Sequence, residues 1–350
     1  MYHWNKTVVE GLDVLDPITR ILDMSRIGPV LTFEDEAVRK GPPVTAMLVQ
    51  NTNPAAVAPD TKRVLKGLKR DDLFLCVHEQ FLTETAQLAD IILPATMFLE
   101  HDDIYQAGGH MHLQIHRAVI EAPEQTRSNH WVINELAKRL GAQHPGFEMT
   151  EWELIDKTLL DSGWPSADAL LEKKWHDVQP SFADSHFLNG FPTSTGRFQF
   201  SADWSKLGPL GSKLPNYPDH CDNIDSATAE KPFRLITSPA RNYLNTSFTE
   251  TPTSKRKEVR PTVKIHPDAA SQLCLEDGDK VRLGNEQGSV VLNVSIFSGL
   301  QTNVVVVESV WPNSAFEEGV GINTLISAEP GPPNGGAVFH DTAIWIKPAG

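Results

Sequence analysis

Apolar strands that alternate with helical stretches are the feature that most constrains the fold of this chain. Val44–Val49 and Leu73–Val77 are continuous apolar runs of strand length, and Ile91–Pro94 is a third, shorter run. Thr61–Leu68 has the spacing of a helix, and a second, shorter helix is expected over Thr83–Ala89. Because fully buried strands alternating with helices are typical of a parallel sheet, the sequence predicts an α/β domain.

Polar side chains follow two of these strands at their carboxyl ends, which is where open α/β sheets bind ligands. Asn51 and Asn53 come after the first strand, and His78 and Glu79 come at the end of the second. Thr83 then stands where it can cap a helix whose free N–H groups suit phosphate. These residues alone leave two interpretations open, a polar ligand site and a solvated loop with an ordinary helix cap.

The last third of the chain changes to short strands separated by turns. Many short strands with turn signals predict a small β-barrel. The predicted strands are Phe233–Ser238, Thr262–His266, Lys280–Leu283, Ser289–Phe297 and Val304–Glu308. We therefore expect three parts: residues 1–42 as a segment continuing an upstream domain, residues 43–230 as the α/β domain with a helical insertion, and residues 231–350 as the barrel domain.

Composition excludes several classes of protein. The net charge of −14 argues against a nucleic-acid binder that works by neutralising phosphates. No apolar run reaches the roughly 18 residues of a membrane helix, and no secretory signal is visible, so a cytoplasmic location is expected. Cys76, Cys221 and Cys274 lie too far apart for the usual spacings of an iron–sulfur cluster or a structural zinc site.

Two further patterns each allow a functional and a structural interpretation. His110, His112 and His116 share one face of an alternating stretch, which suits either an amphipathic strand or a zinc site of a metal hydrolase, with carboxylates from His101-Asp102-Asp103. The basic run Lys255-Arg256-Lys257 with Arg260 suits either a solvated loop or a surface for an anionic partner.

Six separated motifs resemble, in order, those of the molybdopterin oxidoreductases of the dimethyl-sulfoxide-reductase and formate-dehydrogenase type. The resemblance covers most of residues 43–141 and 231–347. The motifs are Gln50–Pro54, His78–Ala95, Phe98–Glu100, Arg127–Trp131, Ser238–Arg241 with Leu244–Thr246, and Gly321–Asn323 with Phe339–Thr342.

In that family a bis-molybdopterin guanine dinucleotide holds molybdenum or tungsten, and the resemblance implies an α/β domain followed by a double-psi-like β-barrel that bind its two arms. Carboxylates suit ribose hydroxyls and guanine N–H groups, and a guanidinium suits a pyrophosphate. By position, the first arm would be lined by Asn53, His78, Glu79, His101 and Asn129, and the second by Ser238, Arg241, Asn245, Thr246, Asn323 and His340.

The chain departs from the family pattern in two ways. Neither the four-cysteine motif of a [4Fe-4S] cluster nor the side chain that ligates the metal is identifiable. The chain thus resembles the carboxyl-terminal part of the large subunit, and we assign it no catalytic residue and no metal ligand. The resemblance implies a cluster domain or subunit as partner, a redox partner and a small-molecule substrate. The alternative is a non-catalytic nucleotide-binding or assembly module.

Overall fold

The structure is a computed structural model that describes residues 20–201, 203–217, 219 and 225–349, apart from the side chain of residue 37. Contacts divide the described chain into two compact units. The first contains residues 78–81 and 93–200, and the second contains residues 21–77, 82–92 and 201–349. Among the described residues, no helix is both long enough and apolar enough to cross a bilayer.

The helices and strands follow one another in the order expected for an α/β segment and a later barrel. The helices are α1 (Ile27–Leu31), α2 (Glu36–Arg39), α3 (Pro54–Val57), α4 (Thr61–Leu68), α5 (Asn129–Leu140), α6 (Glu151–Asp161), α7 (Ala167–Lys173), α8 (Phe182–Ser185), α9 (Pro252–Glu258) and α10 (Pro267–Gln272). The strands are β1 (Ala46–Gln50), β2 (Phe74–Glu79), β3 (Ile91–Pro94), β4 (Asp103–Gln106), β5 (His112–His116), β6 (His176–Asp177), β7 (Phe233–Ile236), β8 (Thr262–Ile265), β9 (Lys280–Gly284), β10 (Ser289–Ile296), β11 (Val304–Val307) and β12 (His340–Pro348).

The predicted α/β segment is confirmed as a sheet with strand order β1-β2-β3, in which helices α3 and α4 connect β1 to β2. Its core contains Val49 from β1, Leu75 from β2 and Val64 from α4. The prediction of a helix over Thr83–Ala89 is wrong, because only a 3₁₀ turn over Ala86–Leu88 forms. The chain must turn there into β3, and the backbone N–H of Asp90 is already bonded to the Leu75 carbonyl of β2.

The predicted barrel is confirmed as a closed six-stranded barrel with strand order β10-β8-β11-β7-β12-β9. It contains two parallel pairs, β8 with β10 and β7 with β11, as expected for a double-psi-like arrangement. The sequence prediction missed β12, which closes the barrel by pairing with both β7 and β9. The register of β12 shifts between His340 and Thr342, so its first residues lack the simple alternation that marks a strand.

The first unit contains the antiparallel sheet β4-β5-β6, packed against α6 and α7. The alternation predicted for β5 is confirmed, because Leu113 and Ile115 are buried and His112 is exposed. Helix α5 begins after Ser128, whose hydroxyl accepts from the Trp131 N–H, and it ends at Gly141 with φ +69°. Ser is a favoured N-cap residue, and Gly readily adopts the left-handed backbone that ends a helix.

Candidate functional site

In the first unit, the backbone of Arg127 is held beside the end of β3. The buried His78 side chain lies with Nε2 2.9 Å from the Arg127 carbonyl oxygen. Because a carbonyl only accepts, His78 Nε2 carries the hydrogen. The Thr96 N–H donates to the same oxygen at 3.1 Å, and the Arg127 N–H donates to the Pro94 carbonyl at 3.0 Å. This framework fixes the segment that leads into α5, on which Asn129 is the first, exposed residue.

Thr96 links His101 to the same framework. Its hydroxyl lies 2.8 Å from His101 Nδ1, and its carbonyl accepts from Gln80 Nε2 at 3.3 Å. His101 Nε2 lies 3.7 Å from Asp103 Oδ2. The structure therefore links His78 and His101 through Thr96 and Arg127. Glu79 directly follows His78, and Asn129 comes two residues after Arg127.

Glu79 is the partly buried carboxylate of this group. Burial raises the pKa of the Glu79 carboxyl above its ordinary value, with the Gln80 N–H and His78 acting in the opposite direction. The Gln80 N–H donates to its Oε1 at 2.8 Å. A partly desolvated carboxylate is a strong acceptor for N–H or O–H donors of a ligand.

Asn53 lies in the second unit, where its side chain is buried and forms hydrogen bonds through both its oxygen and its nitrogen. Its Oδ1 accepts from the Thr85 N–H at 3.1 Å and from the Thr85 hydroxyl at 2.7 Å. Its Nδ2 donates to Glu84 Oε2 at 2.8 Å. The other Glu84 oxygen accepts from the backbone N–H of Asn313 at 2.9 Å. Asn53 thus joins the loop after β1 to residues 84–85 and 313.

Asn323 belongs to the same buried network. It donates from Nδ2 to the carbonyls of Ala56 and Val57, both at 3.0 Å. Asn313 donates to the Ala55 carbonyl at 2.9 Å and accepts from the Gly321 N–H at 2.7 Å. Sequence reasoning missed the roles of Glu84, Thr85 and Asn313. Glu84 and Thr85 lie inside the motif His78–Ala95, so that motif was the available signal.

The other predicted residues of the barrel lie at the end of β7 and at the start of β12. Ser238 follows β7, and its carbonyl accepts from the Ser309 N–H at 2.8 Å. His340 is exposed and pairs with Ile236 across the two strands. The Thr237 hydroxyl donates to the carbonyl of Phe339 at 2.8 Å, which ties the two segments together.

Arg241, Asn245 and Thr246 lie in the loop that continues from Ser238. Arg241 and Asn245 are exposed, and Asn245 has φ +49°. Leu244 and Ser247 bond each other's backbones at 3.1 and 2.9 Å, which holds Asn245 and Thr246 in a tight turn. No described residue forms an ion pair with Arg241, so its guanidinium is available to an anion.

A cavity of about 410 Å³ lies elsewhere in the second unit, and none of the predicted residues lines it. Its guanidinium groups are already paired: Arg26 with Asp35 at 2.9 Å and Arg63 with Asp60 at 3.2 Å. It therefore offers an incoming anion little uncompensated positive charge. The lining residues are Arg26, Asp60, Arg63, Glu286, Gln287, Ser327, Ala328 and Glu329.

The histidine stretch does not form a metal site in the described part of the chain, where no three His, Cys, Asp or Glu side chains are grouped to hold a metal. His110 Nδ1 accepts from the His112 N–H at 3.0 Å. His116 lies between the Tyr105 hydroxyl at 2.8 Å and the Arg117 carbonyl at 2.7 Å. Burial, together with Asp103, raises the pKa of Tyr105 to about 12. The described residues therefore give no support to the zinc interpretation.

The cysteines add no ligand cluster among the described residues. Cys76 is half-buried in β2, and burial raises the pKa of its thiol. Cys274 is exposed. Cys221 lies outside the described residues.

Comparison with known proteins adds two family matches and several relatives. Residues 30–139 match the family described as molybdopterin oxidoreductase, and residues 233–343 match the molydopterin dinucleotide binding domain. The probable oxidoreductase YoaE of Bacillus subtilis (strain 168) is 30% identical over 352 residues, which cover 98% of this chain and 49% of that protein. The dimethyl sulfoxide/trimethylamine N-oxide reductase of Rhodobacter capsulatus is 25% identical over 87% of this chain and 40% of its own length.

A solved structure shares the fold. Acetylene hydratase from Pelobacter acetylenicus superposes with a TM-score of 0.75 at 18% sequence identity, covering 94% of this chain and 47% of that protein. The chain thus spans about half the length of the curated relatives and of the solved structure that it matches.

Proposed function

Because the chain belongs to the molybdopterin oxidoreductases, we propose that it binds a bis-molybdopterin guanine dinucleotide that carries molybdenum or tungsten. When bound, the cofactor supplies the two-electron chemistry, while this chain binds and orients its polar arms. Within the whole enzyme, we expect electrons to pass between a small substrate and an iron–sulfur relay.

The observation that carries this proposal is the framework around Arg127 and Thr96 in the first unit. His78 Nε2 and the Thr96 N–H both donate to the Arg127 carbonyl and hold the backbone at this point. In this proposal, Glu79 and Asn129 contact the ligand. A half-buried carboxylate suits the N–H edge of guanine or the hydroxyls of ribose. An exposed amide can both donate to and accept from a purine edge. These donors and acceptors fit a guanosine group.

The barrel loop suits the second arm for a different reason. Arg241 has no carboxylate partner among the described residues, and a guanidinium fork matches the paired oxygens of a pyrophosphate. Asn245 and Thr246 lie on a tight turn whose backbone is already fixed, so their ordering costs little upon binding. In this proposal Ser238 and His340 flank the same loop, while Asn53 and Asn323 support the binding surface from within.

The second part of the proposal follows from length, because this chain covers only about half of the relatives that it matches. The residues that contact the metal and the [4Fe-4S] cluster would come from the remaining half of the enzyme, as a further domain or a partner subunit. Which small molecule is oxidised or reduced would then be set by that half together with this chain.

GDP resembles the guanosine and pyrophosphate arm and provides a direct test by isothermal titration calorimetry of the purified chain. We expect Arg241→Ala to weaken GDP binding at the second-arm site about 10-fold, because charged hydrogen bonds contribute roughly 1.5–3 kcal/mol. Arg241→Lys should recover part of the affinity, as a point charge replaces the fork.

The matched control is Arg197→Ala, which removes another exposed arginine that has no ion pair with a described residue. GDP affinity that is equal in the wild type, Arg241→Ala and Arg197→Ala would contradict the assignment of Arg241. No GDP binding by the wild type would contradict the proposed function itself.

A further inference from the structure

A basic surface adjoins the proposed dinucleotide loop on a chain that is otherwise strongly acidic. Residues 241–260 contain five basic residues and two acidic ones, whereas the whole chain has a net charge of −14. We call this surface the α9 basic surface, and define it by Lys255, Arg256, Lys257 and Arg260, on and just after helix α9. All four side chains belong to exposed residues.

Hydrogen bonds hold this surface next to Arg241. Glu258, the last residue of α9, accepts from the backbone N–H and the side-chain amide of Asn242 at 2.5 and 2.7 Å. The N–H of Thr251, which precedes α9, donates to the Phe248 carbonyl at 3.0 Å. Both ends of the helix are therefore bound to the loop that carries Arg241, Asn245 and Thr246.

The same segment is anchored in the barrel core. Tyr243 is buried and meets Trp311 edge-on, with ring centroids 5.1 Å apart. Burial raises the pKa of the Tyr243 hydroxyl, and Glu258 and Glu250 raise it further. The segment is thus anchored to the barrel core, which fixes the position of its basic residues.

Most of the positive charge on the surface is uncompensated. Lys255 pairs with Glu250 at 3.4 Å, and Glu258 is occupied by Asn242. Arg256, Lys257 and Arg260 form no ion pair with any residue that the structure describes. The backbone supports a functional role as well, since Phe248 and Val259 have φ of +69° and +66°. Left-handed backbone at bulky and β-branched residues is strained and concentrates at functional sites.

We infer that the α9 basic surface attracts the phosphate groups of the incoming dinucleotide and steers them to the loop around Arg241. This inference rests on the proposed function. A chain with a net charge of −14 repels a polyanionic ligand at long range, so a local patch of unpaired cations next to the site raises the encounter rate. Because steering acts before contact, it changes the association rate constant and leaves the dissociation rate constant unchanged.

The test is surface plasmon resonance of GDP over the immobilised full-length chain at about 10 mM and about 500 mM salt, where the Debye length falls from about 30 Å to about 4 Å. The variant is Arg256→Gln/Lys257→Gln/Arg260→Gln. We expect the association rate constant to fall about 10-fold at low salt and to match the wild type at high salt, with the dissociation rate constant unchanged.

Two controls make the result specific. Lys66→Gln/Lys69→Gln/Lys174→Gln removes the same charge from exposed lysines elsewhere and should leave the association rate above that of the α9 variant. Guanosine, which lacks phosphate, should bind the wild type and the α9 variant at the same rate. Equal effects of the two triple variants, or a change confined to the dissociation rate, would overturn the inference. If the wild type binds GDP but the steering effect is not seen, only this inference fails and the proposed function holds. If the wild type does not bind GDP, both the inference and the proposed function fail.

Discussion

At the scale of single residues, the same polar residue types take two different roles. Asn53 and Asn323 are buried and donate to groups of the protein itself, whereas Asn129 and Asn245 are exposed. The sequence predicts that such residues follow the strands, but it does not reveal which of them the fold buries. Burial depends on distant residues such as Glu84, which reaches both Asn53 and Asn313.

Glu79 allows a prediction in which stability and binding change in opposite directions. Burial raises its pKa above the ordinary value of 4.5, so the folded chain holds this proton more tightly than the unfolded chain. The contribution of Glu79 to stability is therefore largest below pH 4.5 and is lost as the pH rises through the raised pKa. Glu79→Gln should raise the melting temperature at pH 7, leave it unchanged at pH 4, and weaken GDP binding at the first-arm site about 10-fold.

Thermal unfolding by circular dichroism at both pH values and calorimetry with GDP measure these effects. Glu172→Gln, a change at an exposed carboxylate, should alter neither quantity. If the Glu79→Gln protein is less stable than the wild type at pH 7, interactions around the ionised carboxylate outweigh the cost of burying it. That result would contradict the predicted effect of Glu79 on stability.

At the scale of elements, the sequence predicted those helices and strands whose limits depend on residues close by in the chain. Helix α4 and strand β3 were predicted with the bounds that the structure has. Strand β12 was missed because its identity comes from pairing with β7 and β9, which lie more than fifty residues away. The Glu84 network is equally non-local, since it joins residues 53–57 to residues 313–323.

This network predicts a measurable contribution to stability. Glu84→Ala leaves Asn53 Nδ2 and the Asn313 N–H without their acceptor, and it should lower the free energy of unfolding by about 2–3 kcal/mol. Glu84→Gln keeps one acceptor but presents an N–H to the second donor, so its cost should be about half as large. Urea denaturation followed by fluorescence measures both. Glu172→Ala should stay within about 0.5 kcal/mol of the wild type, and a Glu84→Ala value equally close to it would show that the network is not stabilising.

At the scale of the whole molecule, the sequence predicted the fold class and the family, while the arrangement of the site needed the structure. Separated motifs in a fixed order carried the resemblance, and both family matches agree with it. The division into two compact units could not be predicted, because residues 78–81 join the first unit while the rest of β2 joins the second. The role of each site residue stays a prediction that the binding experiments address.

The central claim is that this chain binds a guanine dinucleotide of molybdopterin as one half of an oxidoreductase. The most direct test is to produce the chain together with a cysteine-bearing half of the enzyme in a host that makes the cofactor, purify the complex anaerobically, and quantify released pterin, guanine nucleotide and metal. We expect two guanine nucleotides for each molybdenum or tungsten atom in the wild type, and less of each in Arg241→Ala. A stable complex without guanine nucleotide or pterin would contradict the claim.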